Sequence, residues 1–256
     1  MTPADKFHNV VTWLCTDIVH RKEAPGFIIG LSGTDSIVAF LAAYRALDRC
    51  NKADRLLGVH FAPSQEFLED YPEAEAHKWF SVEIVPWLRK FAPFAKIEVD
   101  TSIDWRMDGL RWGSLADRSV MYTSDRKMRP SEDKYWILGT RNQTEERLFN
   151  YSVASTIASV QPLVKLYKSE ILDICEWLGV PPLVIKKSCE ADCICGREEL
   201  RAHFGRELDI ILRANATSLA NPDYVALNPV LKERLSKYIA ERVSKGSFKK
   251  TIPYVP

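Results

Sequence analysis

The chain has no bias of charge: 35 Lys and Arg stand against 34 Asp and Glu in 256 residues, a formal net charge of +1. Without a basic stripe, a nucleic-acid-binding surface is not expected. Long apolar runs are missing too. None approaches the ~18–20 residues of a membrane helix, and Met1-Thr2-Pro3-Ala4-Asp5-Lys6 is not followed by the apolar core of a signal peptide. The sequence also lacks internal repeats, low-complexity tracts and a Gly/Ser linker. Cysteine is scarce, six in all, and without a secretory signal that count reads as reduced thiols, not a disulfide framework. What is present is 46% hydrophobic residues, and area scaling has a chain of this length burying roughly 73% of its extended surface. The expectation is one soluble, cytoplasmic globular domain over 1–256, with neither membrane nor nucleic acid as partner.

Apolar runs of strand length alternate with segments of helical period. Phe27–Leu31, Leu56–Phe61, Ile97–Val99 and Tyr135–Gly139 are near-continuous apolar stretches, the pattern of strands buried on both faces. Ala76, Trp79, Phe80, Ile84, Trp87, Leu88 and Phe91 share a helical face over about 72–91, with Pro86 expected to kink or split it. Ile171, Ile174, Cys175 and Leu178 mark another helix, stopped by Gly179 with Pro181 beyond. Further helices are expected over 197–214 and 229–244. Strands separated by helices predict an α/β fold: a parallel, Rossmann-like sheet flanked by helices, with helical additions at the C-terminus. Ligands of such sheets bind at the carboxyl ends of the strands, where the strand order switches.

The first strand runs into Ser32-Gly33-Thr34-Asp35-Ser36 and then directly into an apolar helix. A short Gly and hydroxyl loop opening a helix offers backbone N–H groups and a positive dipole end to an anion. Ser32, Thr34 and Ser36 add hydroxyl donors, and Asp35 suits a Mg²⁺ bridging phosphates. Equally, Asp35 or Thr34 could simply cap the helix.

This pentapeptide resembles the Ser-Gly-Gly-x-Asp-Ser loop of the ATP pyrophosphatases (PP-loop, or adenine nucleotide alpha-hydrolase, enzymes), one residue shorter and with a single glycine. Gly139-Thr140-Arg141-Asn142-Gln143-Thr144-Glu145, Gln161-Pro162-Leu163, Leu166-Tyr167-Lys168 and Leu178-Gly179-Val180-Pro181 follow in order. Together they resemble the ammonia-using NAD synthetases, as do Lys187–Asp192 and the ending Phe248–Pro256. The resemblance runs from about residue 8 to the end. It implies an adenylating ligase: ATP and Mg²⁺ activate the carboxylate of nicotinic acid adenine dinucleotide, pyrophosphate leaves, and ammonia displaces AMP to give NAD. By that resemblance Gly30, Ser32, Gly33, Thr34 and Ser36 hold the ATP phosphates, Asp35 and Glu145 bind Mg²⁺, and Thr140 meets the adenosine. Lys168 neutralises charge on the phosphates, Glu190 stands at another ATP contact, and Arg118 and Lys249 reach the dinucleotide. It further implies a homodimer, with ammonia from solution or from a separate glutaminase subunit.

Departures from the family pattern gather at the dinucleotide end. Val120 and Phe248 replace an arginine and a histidine, Asn150–Val160 carries no charge, and Glu190 replaces a Ser or Thr near phosphate. Two rival functions therefore stay open: a PP-loop enzyme with another acceptor, and a non-catalytic nucleotide-binding protein. Glu145 paired with Arg141, and Lys168 as a solvated lysine, are the plain structural alternatives. Cys189, Cys193 and Cys195 have part of a zinc spacing, with His203 as a possible fourth ligand, or are simply reduced thiols. His60 falls either at the adenine or merely at a strand end.

Overall fold

A computed structural model describes residues 1–70, 78–121, 134–190, 198–214, 222–247 and 249. They group into two compact units, one of Met1–Thr140 with Ala154–Pro162, the other of Arg141–Val153 with Leu163–Pro256. No helix among the described residues is long and apolar enough to cross a membrane.

The first unit is built on four parallel strands, β1 (Phe27–Gly30), β2 (Leu56–Phe61), β3 (Lys96–Asp100) and β4 (Trp136–Leu138), in the order β3-β2-β1-β4. All four lie on the runs read from the sequence. The two central strands are covered on both faces: Phe27, Ile28, Ile29, Leu56, Leu57 and Val59 are buried. Gly58 is needed for closeness, since a Cβ there would stand 2.6 Å from Leu31 Cδ1. A parallel bridge from Leu138 to Val160 extends the sheet beyond β4.

Helix α1 (Pro3–Trp13) starts at a capping box in which Thr2 and Asp5 bond each other's backbone N–H. It runs on as a π-helical segment, Leu14–His20. Helix α2 (Thr34–Asp48) follows β1 and buries residues all round its axis, from Ile37 to Leu47. Next come α3 (Gln65–Asp70), a π-helical turn Phe80–Ile84, and α4 (Val85–Phe91). The helix expected over 72–91 is thus divided after Ile84, and Pro86 sits in the first turn of α4 where its missing N–H costs nothing; residues 72–77 lie outside the described residues. Helix α5 (Asp108–Met121) joins β3 to β4 and packs on β1 and β4.

The second unit is helical: α6 (Gln143–Leu148), α7 (Lys168–Trp177), α8 (Pro182–Ser188), α9 (Glu199–His203), α10 (Gly205–Ala214), α11 (Pro222–Ala226) and α12 (Pro229–Gly246). Its core gathers Leu148, Leu208, Ile211, Leu212, Leu235, Tyr238 and Ile239. Helix α7 ends as its sequence predicts, with Gly179 at φ +69° and the Val180 N–H returning to Cys175 O at 2.9 Å. The helix expected over 197–214 is broken at Phe204 into α9 and α10.

Candidate active site

β1 forms parallel pairs with β2 on one side and with β4 on the other, so the strand order switches direction at the β1–β4 boundary. At the carboxyl edge there, a crevice of about 140 Å³ is lined by Gly30 at the end of β1, Leu31 and Ser32 just after it and Thr140 after β4, with Phe61 at the end of β2. Helix α5 supplies Asp108, Arg111, Trp112 and Leu115. Gly30, Ser32 and Thr140, 110 residues apart in sequence, are therefore brought into one cavity. Sequence reasoning missed Trp112 and Arg111. Neither belongs to a motif, and Arg111 already has an ion pair to Asp108 at 2.8 Å.

The loop between β1 and α2 is held by its own serine. Gly33 is the N-cap of α2, and Ser36 Oγ accepts from the Ser32 and Gly33 N–H groups at 2.9 and 3.0 Å. The same hydroxyl donates to Gly33 O at 2.9 Å. Neither Thr34 nor Asp35 is the cap. Thr34 and Ser36 are buried, Ser32 is exposed, and Asp35 is half-buried in the first turn, within 3.3 Å of the Thr34 hydroxyl. A negative group near this turn also meets the positive end of a 15-residue helix.

His60 in β2 is buried, stacked on Phe80 with ring centroids 4.6 Å apart. Its Nδ1 lies 2.9 Å from Leu31 O; because a carbonyl only accepts, Nδ1 carries the proton. Nε2 has no hydrogen-bond partner among the described residues. Burial holds the imidazole below its ordinary pKa, against a smaller opposite effect of the Leu31 bond, so it is neutral.

Arg118, on α5, faces β3. Its guanidinium bonds Glu98 Oε2 at 3.1 Å, Asp100 Oδ2 at 2.8 Å and the Ser114 hydroxyl. Burial alone would raise the Asp100 pKa, but the Ser102 hydroxyl and N–H, together with Arg118, hold it below the usual value. An open groove of about 520 Å³ runs beside this cluster, lined by Glu98, Ser114, Asp117 and Arg118 among others.

In the second unit, α6 opens with a capping box: Asn142 Oδ1 accepts from Glu145 N at 2.9 Å, and Glu145 Oε2 accepts from Asn142 N at 3.3 Å. Glu145 Oε1 pairs with Arg201 at 2.9 Å, whereas Arg141 pairs with Glu146 at 3.1 Å. Lys168 is the first residue of α7, and its N–H donates to Thr144 Oγ1 at 2.9 Å. Thr144 in turn donates to Asp209 Oδ1 at 2.6 Å, and Ser169 N–H donates to Asp209 Oδ2 at 2.7 Å. Asp209 is 1% exposed. Burial pushes its carboxyl up, opposed by the bonds from Thr144 and Ser169 and by Arg213. Sequence reasoning missed this residue; a lone Asp between Leu208 and Ile210 in an amphipathic helix was its one signal.

Glu190 is paired with Lys187 at 2.9 Å, so a lysine offsets its charge. Lys249 donates to Phe149 O at 2.8 Å and Tyr151 O at 2.6 Å, and burial, Arg242 and Arg141 together lower its pKa. Cys189 is exposed; Cys193, Cys195 and Phe248 lie outside the described residues.

The NAD synthase family model matches residues 7–253. The NH(3)-dependent NAD(+) synthetase of Trichlorobacter lovleyi is 31% identical over 259 residues, covering 93% of this chain and 85% of its own. That of Helicobacter acinonychis is 22% identical, covering 97% and 96%. Among solved structures, an NH3-dependent NAD synthetase from Campylobacter jejuni superposes with a TM-score of 0.62 at 18% identity, over all of both chains. An NMN synthetase from Francisella tularensis does so with 0.60 at 17%, over 100% of this chain and 99% of that one. At those identities the two structures bear on the fold alone.

Proposed function

The chain belongs to the NAD synthase family, and on that premise we propose that it amidates nicotinic acid adenine dinucleotide with ammonia and ATP, giving NAD, AMP and pyrophosphate. The observation that carries this reading is the crevice at the β1–β4 switch, where Gly30, Ser32 and Thr140 meet at the carboxyl edge of the sheet.

The substrate carboxylate attacks the α-phosphorus of ATP, the α–β bridging P–O bond breaks, and pyrophosphate leaves. Ammonia then adds to the acyl carbon, AMP departs, and the nitrogen loses a proton to solvent. The chain contributes positioning and charge stabilisation, with no covalent nucleophile of its own. Ser32, Gly33, Thr34 and Ser36 hold the phosphates at the positive end of α2, the Ser32 and Gly33 N–H groups and the Ser36 hydroxyl exchanging their bonds to one another for phosphate oxygens; Thr140 meets the adenosine, and Lys168 neutralises the departing pyrophosphate. Glu190, already paired with Lys187, lies along the ATP. Arg118 and Lys249 serve the dinucleotide.

Asp35 and Glu145 provide carboxylate oxygens, the donors a hard cation takes, and so would hold Mg²⁺. At Glu145 the cation would compete with the Arg201 guanidinium paired there at 2.9 Å. When bound, the ion supplies charge neutralisation across the phosphates. The enzyme works in the cytoplasm as a homodimer, taking ammonia from solution or from a separate glutaminase.

The test is to incubate the purified protein with Mg–ATP, ammonium and the dinucleotide, following NAD, AMP and pyrophosphate by mass spectrometry. Equimolar appearance of all three is expected. AMP and pyrophosphate without NAD, repeated with nicotinic acid mononucleotide as acceptor, would move the reading to another acceptor; no turnover with either would overturn it. Asp35→Asn and Glu145→Gln are each expected to lower pyrophosphate release by at least about 100-fold while leaving the circular dichroism unchanged.

A further inference from the structure

We propose that Cys15, His20 and Cys50 form a zinc site in the first unit, remote from the nucleotide crevice, with a fourth position open to water. Cys15 and His20 come from the π-helical segment that continues α1, and Cys50 lies two residues past the end of α2. The Cys15 and Cys50 sulfurs are 3.3 Å apart, Cys50 Sγ is 3.4 Å from His20 Nε2, and the three ligand atoms all lie within 4.8 Å of one another.

Those spacings are close to what a small tetrahedral ion requires. Ligand atoms about 2.0–2.3 Å from zinc stand about 3.5–3.8 Å from each other, so little movement closes the set around an ion. Two thiols and an imidazole are also the soft donors that zinc prefers over Mg²⁺ or Ca²⁺. A disulfide explains less. The sulfurs are unbonded, and a Cys15–Cys50 bridge has no use for an imidazole aimed at the same sulfur.

The backbone supports the site. Residues five apart point about 140° from each other in an α-helix, which would put Cys15 and His20 on different faces. The wider π turn, closed by Arg21 N–H to Thr16 O at 3.0 Å, brings positions i and i+5 together. Such a turn gives up regular α-helical hydrogen bonding, and π segments recur at functional sites. Cys15 is buried and His20 exposed, so the set runs from the interior to an opening toward solvent. An ion here ties the end of the first helix to the end of α2, whose other end carries the phosphate loop.

Cobalt is the probe. The reduced, chelator-stripped full chain is titrated anaerobically with Co²⁺ and then with Zn²⁺. One equivalent should develop thiolate-to-cobalt charge-transfer absorption and tetrahedral d–d bands, both abolished by Zn²⁺. Cys50→Ser should remove most of the charge-transfer intensity, and His20→Gln should weaken Co²⁺ affinity at least about tenfold. Both variants alter accessible positions and should keep the wild-type melting curve without metal; a Cys50→Ala variant replaces Cys50→Ser if the latter does not fold. The proposal is overturned if wild type shows no charge-transfer band. A band that persists at full stoichiometry in Cys50→Ser would equally overturn it, by assigning the metal to other cysteines. So would a Cys15–Cys50 disulfide found by peptide mapping in protein that binds no cobalt.

Discussion

Arg118 shows how much of a residue's role is set by what already holds it. Its guanidinium satisfies Asp100, whose side chain is only 5% exposed, and removing it leaves that carboxylate without its cation. We predict that Arg118→Met lowers stability by about 1.5–3 kcal/mol, the cost of breaking a charged hydrogen bond at a largely buried acceptor. Urea denaturation checks this, and an unchanged midpoint and slope would show that Ser102 alone suffices. His60 makes a second residue-scale prediction. Its folded pKa lies below the model-peptide value of 6.5 because burial opposes the charged form. Between those two values the unfolded chain binds more protons than the folded one, so stability falls as pH drops below about 6.5. One proton sets the limit at about 1.4 kcal/mol per pH unit. Denaturation midpoints measured from pH 8 to pH 5 should fall more steeply in wild type than in His60→Gln. Equal slopes would mean that the imidazole finds a partner for its charge.

At the scale of elements, Asp209 links three helices: Thr144 of α6 and Ser169 of α7 both donate to its carboxylate from α10. Because Thr144 Oγ1 accepts from the Lys168 N–H, its own proton must point at Asp209, so both carboxylate oxygens face donors. An amide can accept from only one of them. Asp209→Asn is therefore expected to cost about 1–3 kcal/mol and to loosen the N-terminal turn of α7, read as faster amide exchange at Lys168 and Ser169. The elements themselves were legible where one residue pattern decided them. Four apolar runs became four strands, and Gly179 with Pro181 stopped α7 as read. Legibility failed where the backbone departed from the regular α-helix. The π turns at Leu14–His20 and Phe80–Ile84 and the break at Phe204 leave no mark in an apolar period of 3.6. The candidate site divides the same way. Gly30, Ser32 and Thr140 follow from a loop motif and strand ends. Trp112, Arg111 and Asp209 could not be found so, because only the crossover of α5 and the packing of α10 bring them to their neighbours.

For the whole molecule, a net charge of +1 means that no long-range field draws anionic substrates in. On the proposed function, attraction is local, from the start of α2 and single lysines, and falls off over about 8 Å at physiological salt. Association rates should therefore depend weakly on ionic strength. Binding is also visible as stability. A ligand that binds only the folded chain, present at 100 times its Kd, adds about 2.7 kcal/mol. For a chain of this size each kcal/mol moves Tm by about 2–4 °C. Mg–ATP should thus raise the transition of wild type by about 5–10 °C. With Asp35 as the proposed Mg²⁺ ligand, Asp35→Asn should lose most of that shift, while His20→Gln, beside Cys50 past the far end of α2, keeps it. A full shift in Asp35→Asn would remove that carboxylate from nucleotide binding. A shift equally reduced in both variants would trace the effect to general destabilisation, since the two positions share only the helix between them.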